Sequence, residues 1–412
     1  MVCFRAVNSP SPAQSTSLRS RSAGASAKIT EFDGLRALLA MLVVASHLLL
    51  YSGVTPGMVW KPLRWLTMGG MAVDVFIILS GFVIFLLLDR ARETPGIYLW
   101  RRFMRLFPAY LCCLAIGVAM VPVAADWLRA LPWHDQGEIV RLTRVWESVA
   151  AHFPAHLVMH LTMLHGVLPD EILPRSSAAL LGVAWSLSLE WQFYLVAPFA
   201  YAMIRRPLGA WFWGAAIIGS AVFAAFIKSR YAGEWALTYR PSSFLPLKAH
   251  LFFVGGVSYF AHRALMKARF KMPSAMLPAA VTGVLLFTDT RALGIWFTVL
   301  AAQWVARSHP ADAASRFVCG VLNSRFLQHV GQMSYSVYIL HTAFIYLGLH
   351  ALMLLPVTWT RWTFVAGLTI FVLPLIWVGA SLLYRYVEKP AIEFAKRRHP
   401  WGWRSSPTLA PG

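Results

Sequence analysis

The stretch GLRALLAMLVVASHLLLYSG, residues 34–53, carries two ionisable side chains, Arg36 and His47, in a run that is otherwise almost wholly apolar. Eleven helical steps of about 100° make roughly three turns plus about 20°, with a rise of about 16 Å. On an α-helix the two groups therefore share one face, half a bilayer apart. A guanidinium near one membrane surface can hold an anionic group while an imidazole deep inside meets the other end of the same molecule. The plainer reading makes Arg36 an interfacial anchor and His47 a hydrogen-bonded packing residue, and the pair alone does not choose between them.

The rest of the chain says what kind of protein holds this helix. Hydrophobic residues make up 58% of 412, charged residues 13%, and the mean hydropathy is +0.58, which excludes an ordinary soluble domain. Apolar stretches of helical length recur near residues 35–52, 68–88, 107–125, 185–203, 210–227, 245–262, 274–288, 292–306, 332–352 and 363–386. The expected fold is an all-α membrane protein, a polytopic bundle of about ten transmembrane helices. With both termini placed in the cytoplasm, 25 of the 37 Lys and Arg residues fall in inner segments, as the positive-inside rule requires. The net charge of +20 then reports orientation and contact with anionic membrane lipid, and implies no nucleic-acid partner.

Three parts follow: a disordered cytoplasmic tail over 1–29, a transmembrane domain over 30–390, and a cytoplasmic tail over 391–412. Residues 1–29 lack the apolar core of a signal peptide, and the first helix is expected to start at Thr30 as N-cap, with Asp33 three residues on. Cys3, Cys112, Cys113 and Cys319 show neither a disulfide framework nor metal-ligand spacing. The longest loop, about 126–184, contains HFPAHLVMHLTMLHGV, residues 152–167. Its His152, His156 and His160, at i, i+4 and i+8, would share a helix face suited to a metal, but no carboxylate or Cys completes a ligand set. They are expected at a membrane interface, and no metal is expected.

Ionisable groups also interrupt other spans: Asp74 in GGMAVDVFIILSGFVIF, Glu190 in VAWSLSLEWQFYLVAP and His341 in QMSYSVYILHTAF. With His47, these place four polar groups from four helices between the midplane and the outer third. The economical arrangement is one shared cavity. Across the membrane, IYLWRRFMRLFPAY groups Arg101, Arg102 and Arg105 within two turns, either as a positive-inside flank or as a phosphate clamp. Arg36 on the same side and the imidazole and carboxylate groups opposite favour the clamp.

Taken together these motifs resemble the acyltransferase family 3 membrane proteins, the bacterial O-acetyltransferases of lipopolysaccharide O-antigen, exopolysaccharide, Nod factor and some macrolides. The matching text covers nearly the whole chain: the Arg36 and His47 pair, VDVFIILSGF (73–82), YLWRRFMRLFPAY (98–110), WSLSLEWQFYL (185–195), the Gly255-Gly256 helix, SYSVYILH (334–341) and VEKP (387–390). The resemblance implies ten core helices, an acyl-CoA donor from the cytoplasm, most simply acetyl-CoA, and no permanently bound cofactor. It implies a carbohydrate or lipid-linked glycan acceptor reached from the other side of a bacterial inner membrane. It points to His47 as the catalytic histidine, with Arg36, Arg101, Arg102 and Arg105 also needed. Where the family commonly has two adjacent carboxylates, Glu190 is followed by Trp191, so only Glu190 carries over. The resemblance is to the stand-alone members, so no hydrolase-like domain is expected after the last helix.

On this reading the arginines hold the phosphates of coenzyme A and the thioester lies beside His47. The imidazole either takes the proton of an acceptor hydroxyl or accepts the acyl group itself. Glu190 or Asp74 would orient the ring. Asp74 and His341 also serve as candidates for acceptor binding or support. The competing reading is a proton-coupled transporter, which also needs intramembrane His, Glu and Asp, but the arginine cluster has no role in it and no inverted repeat is visible. The acyl group, the particular acceptor and the oligomeric state are not readable.

Overall fold

The computed structural model describes residues 29–91, 93–230, 238–239, 242–267, 273–286 and 291–397. The N-terminal tail with Cys3, and residues 398–412, lie outside this set. The described residues form helices joined by turns, with no strand among them. In chain order the helices are α1 (Glu31–Tyr51), α2 (Gly69–Ala91), α3 (Pro95–Met120), α4 (Ala124–Arg129), α5 (Gly137–Ala151), α6 (Phe153–Leu161), α7 (Trp185–Ile204) and α8 (Gly209–Arg230). They continue with α9 (Leu245–Lys267), α10 (Met276–Leu286), α11 (Arg291–Ser308), α12 (Ala313–Leu322), α13 (Arg325–Gln332), α14 (Ser334–Met353), α15 (Arg361–Leu383) and α16 (Lys389–Arg397), the last two joined by a π-helical turn, Tyr384–Glu388. Residues 391–397 of the expected tail are thus helical, and Phe394 packs edge-on to Trp100 of α3 at 6.4 Å.

Helix occupies each of the ten apolar stretches within the described residues, but length and composition do not confirm the expected count of about ten spans. Among the described residues six segments qualify: Glu31–Tyr51, Gly69–Arg90, Pro95–Met120, Gly209–Ile227, Ser334–Met353 and Arg361–Arg397. Three of the remaining four fall short for a visible reason: α7 carries Glu190 and Gln192, α9 carries Lys248, His250 and Arg263, and α11 carries Gln303 and Arg307. Polar groups that serve the interior lower the mean hydropathy of the helices that bear them.

The helices nest around α14. Its apolar window is 72% buried, against 11% for α8, which turns Trp211, Ile218 and Val222 outward. Helix α1 packs on α2, α13 and α14, and α14 packs on α15. The most extensive pairing joins α2 and α9, and glycine makes it close. A methyl group at Gly255 would overlap the Ile78 carbonyl oxygen, and one at Gly81 the Phe252 carbonyl oxygen, so the two backbones touch at reciprocal points. Phe82, Phe85, Phe252 and Trp296 fill the core beside this contact without any exposure.

Two local expectations are corrected. Thr30 is helical (φ −68°, ψ −30°) and its side chain caps nothing. Its carbonyl instead accepts from the Asp33 amide at 3.0 Å and from Gln328 Nε2 of α13 at 2.8 Å, so a tertiary partner holds the helix start. The loop histidines are not an interfacial row either. His152 is exposed, whereas His156, His160 and His165 are fully buried where the loop folds back on α3. The His160 and His165 rings stack at 3.9 Å, and the Tyr110 hydroxyl lies 2.8 Å from His160 Nδ1. Among the described residues no three His, Cys, Asp or Glu are grouped to hold a metal ion.

Candidate functional site

A chamber of about 130 Å³ opens between α1, α2, α3, α7 and α14. Three of its lining residues are arginines: Arg36 from α1, and Arg102 and Arg105 from α3. Arg105 lies ten residues into α3, about 15 Å along the helix, so the cluster extends well inside the bundle rather than stopping at its rim. Each guanidinium is held differently. Arg36 donates to Asp33, one helical turn back, at 3.3 Å. Arg102 lies over the Tyr194 ring at 5.9 Å and Arg105 over the Tyr335 ring at 5.6 Å, contacts that orient a planar cation without neutralising it. Arg105 also pairs with the buried Glu388, whose second oxygen accepts from Ser336 Oγ at 2.6 Å. Arg101 points elsewhere, pairing with Glu93.

Glu190 lines the same chamber. Its Oε1 accepts from Ser80 Oγ at 2.8 Å and from the Tyr194 hydroxyl one turn on. The single shared cavity expected for four intramembrane groups is therefore replaced by three separate placements. Glu190 joins the arginines, Asp74 of α2 accepts from Lys248 Nζ of α9 at 2.7 Å, and His47 meets His341. The orienting partner of His47 from another helix is thus an imidazole, and both candidate carboxylates are engaged by other groups.

The histidine pair stands next to the chamber. His341 Nε2 is 3.2 Å from His47 Nδ1, with ring centroids 5.0 Å apart, and His341 Nδ1 lies 2.7 Å from the Tyr338 carbonyl oxygen. His47 Nδ1 also lies 2.9 Å from the Val43 carbonyl oxygen. Tyr338 links pair and chamber: its carbonyl holds His341, while its side chain lines the chamber, bonded to Ser186 Oγ at 2.7 Å and packed 6.2 Å from Phe76. His47 is not itself among the lining residues. Beyond the pair, the Tyr51 ring lies tilted to that of His47, with centroids 6.3 Å apart. Its hydroxyl donates to that of Tyr346 at 3.4 Å, which also accepts from Trp146 Nε1 at 2.7 Å.

A second cavity, about 570 Å³, lies further along α2 and α7, lined by Leu88, Asp89, Tyr201, Arg205 and Arg263 among others. Nine residues separate Ser80 from Asp89, about 13 Å of helix, so the two cavities are successive along the bundle.

Sequence reasoning missed Lys248, Tyr194, Ser80 and the partnership of Glu388. A lysine in the apolar text of α9 and the four-residue spacing of Glu190 and Tyr194 were the available signs. Glu388 stood in the quoted VEKP, but its partner Arg105 is 283 positions away.

A helical bundle with an interior arginine chamber and a neighbouring histidine pair is an arrangement that several kinds of membrane protein could use, and similarity to known proteins says which kind this is. The chain belongs to acyltransferase family 3: the family's model, an acyltransferase domain, matches residues 29–381. It is 28% identical over 396 residues to the acyltransferase MdmB of Streptomyces mycarofaciens, covering 90% of this chain and 94% of that protein. It is 24% identical over 406 residues to a provisionally named O-acetyltransferase of Staphylococcus aureus (strain MRSA252), covering 91% of this chain but 58% of the relative. A provisionally named membrane-bound transacylase, BcsY of Komagataeibacter xylinus, is 29% identical over 40% of this chain and 35% of its own length. No solved structure matches the chain. The protein is a membrane acyltransferase, and the transport reading loses its ground.

Proposed function

We propose that this acyltransferase moves an acetyl group from cytoplasmic acetyl-CoA to a hydroxyl of an extracytoplasmic or membrane-associated glycan. Its setting would be a bacterial inner membrane, with both termini in the cytoplasm. The observation that carries the reading is the clustering of Arg36, Arg102 and Arg105 around one chamber whose lining residue Tyr338 also holds His341, the partner of His47. Grouped guanidiniums match phosphate oxygens, and the Arg36 to His47 rise of about 16 Å suits a ligand with its charges at one end and its reactive carbon at the other. The nucleotide end of the donor extends toward the larger cavity at Arg205 and Arg263, near which Arg101 also lies through its pairing with Glu93. The acyl end passes Phe76 and Tyr338 to the imidazole.

Neutral His47 takes the proton of the acceptor hydroxyl as its oxygen attacks the thioester carbonyl. The tetrahedral intermediate collapses with cleavage of the carbon–sulfur bond. The proton on the imidazolium returns to the leaving thiolate, giving free CoA and the O-acetyl ester. Glu190 keeps Ser80 and Tyr194 in place and balances part of the positive charge of the chamber; Asp74, with Lys248, braces the α2 and α9 pairing.

Mass spectrometry of surface glycans and small molecules, from cells with and without the gene, tests this reading. Wild-type cells add an acetyl mass of about 42 Da and His47→Ala cells, with equal protein in the membrane, do not, since loss of a general base costs about 10² to 10⁴ in rate. An unchanged pattern with His47→Ala removes His47 from the chemistry, and a product mass other than acetyl corrects the donor.

A further inference from the structure

We infer that His341 is the positioning residue of the reaction: it fixes the tautomer of His47, so that His47 Nε2 is the basic nitrogen presented to substrate. This rests on the reading of His47 as the catalytic base and adds which of its two nitrogens acts and what makes it so.

The assignment follows from acceptors alone. A backbone carbonyl can only accept, so His341 Nδ1, 2.7 Å from the Tyr338 oxygen, carries the proton there. A neutral ring then has a lone pair on Nε2, directed at His47 Nδ1 3.2 Å away. His47 Nδ1 consequently faces two acceptors, that lone pair and the Val43 oxygen at 2.9 Å, and must be an N–H shared between them. The opposite assignment, a proton on His341 Nε2, would point the lone pair of His47 Nδ1 at the Val43 carbonyl and set two acceptors against each other. With its proton on Nδ1, neutral His47 has its lone pair on Nε2, and Nε2 makes no hydrogen bond among the described residues.

Exposure separates the roles. His341 has no accessible surface and both of its nitrogens are engaged, so it cannot touch a substrate and acts only through its neighbour. His47 is half-buried and keeps some exposed surface. When His47 Nε2 takes the acceptor's proton, the positive charge spreads to Nδ1–H, where the His341 lone pair and the Val43 carbonyl meet it. A neutral imidazole backed by a carbonyl thus does what a carboxylate does behind other catalytic histidines, without adding a second charge to a low-dielectric interior.

The test compares His341→Leu, which removes the acceptor, with His341→Gln, whose side-chain oxygen can stand near the position of Nε2. CoA release from acetyl-CoA is followed in membranes supplied with a total glycolipid extract of the native cells, after equal folded protein is confirmed by gel filtration. His341→Leu should lower kcat by about 10²-fold or more with KM for acetyl-CoA within about twofold, and His341→Gln should recover at least tenfold of that loss. Should His341→Leu fail to fold, His341→Ala takes its place beside His341→Gln. Wild-type kcat without the acceptor, equal loss in both variants, or a loss through KM alone overturns the assignment. A His47→Ala control that keeps wild-type kcat overturns the underlying reading as well, whereas one that abolishes turnover while His341→Leu is normal overturns only the role of His341.

Discussion

Glu388 shows how much one side chain can decide in this interior. It is 1% exposed, pairs with Arg105 of α3 and accepts from Ser336 of α14 at 2.6 Å, and it ends a π-helical turn, a local widening that often marks functional sites. Removing one member of a buried charge pair leaves the other uncompensated, at a cost of about 3 kcal/mol or more. Glu388→Ala should therefore lower the thermal midpoint of the purified protein well below that of Arg102→Ala, whose guanidinium has only a ring beneath it; equal midpoints would remove Glu388 from that role. The Arg36 and His47 spacing was legible because helix geometry is local and covalent, whereas pairing Arg105 with Glu388 requires two segments 283 residues apart to meet. A separation of 294 residues likewise hid the partner of His47. Any of three intramembrane groups could have faced it, and only packing brings α14 alongside α1.

Among the helices, the α2 and α9 contact carries the most weight. Gly255→Val should be poorly folded, because overpacking a backbone contact costs about 1–3 kcal/mol or more, while Gly70→Ala, with open space around it, should fold as well as wild type. Fluorescence-detected gel filtration after mild heating separates the two outcomes. The Asp74 to Lys248 pair crosses the same interface at 2.7 Å, so Asp74→Lys and Lys248→Asp should each lower yield and together restore part of it; additive losses would mean that the pair is not coupled. Helix positions were readable from hydropathy because an apolar run of helical length has few alternatives. The helix starts and the number of spans were not. Thr30 yields its capping role to Gln328 of another helix, and polar residues aimed inward make α7, α9 and α11 look less membrane-like than their neighbours.

Across the whole molecule, three buried loop histidines make stability depend on pH. Burial, with His152 nearby, pushes His156 down to about 4, and burial pushes His165 down to about 4, against an unfolded reference of about 6.5. His160, buried beside His165 and His156, is lowered as well. Between about 6.5 and 4 the unfolded segment therefore binds protons that the folded one refuses, and the loop loses stability as pH falls through that window. Limited proteolysis over residues 152–176 should accelerate between pH 7 and 5, and His165→Phe should blunt the change; a pH-independent rate would show that these rings do not govern the loop. What the chain's order of residues settled unaided was the membrane bundle, the acyltransferase family resemblance and the shared face of Arg36 and His47, because hydrophobic run length and helical period are properties of contiguous text. What only the folded molecule decided was partnership: Glu190 with the arginines, Asp74 with Lys248, His47 with His341, and loop histidines that turn inward. Buried polar groups take whichever complementary atom packing brings within hydrogen-bond distance, and that atom can come from any helix in the chain.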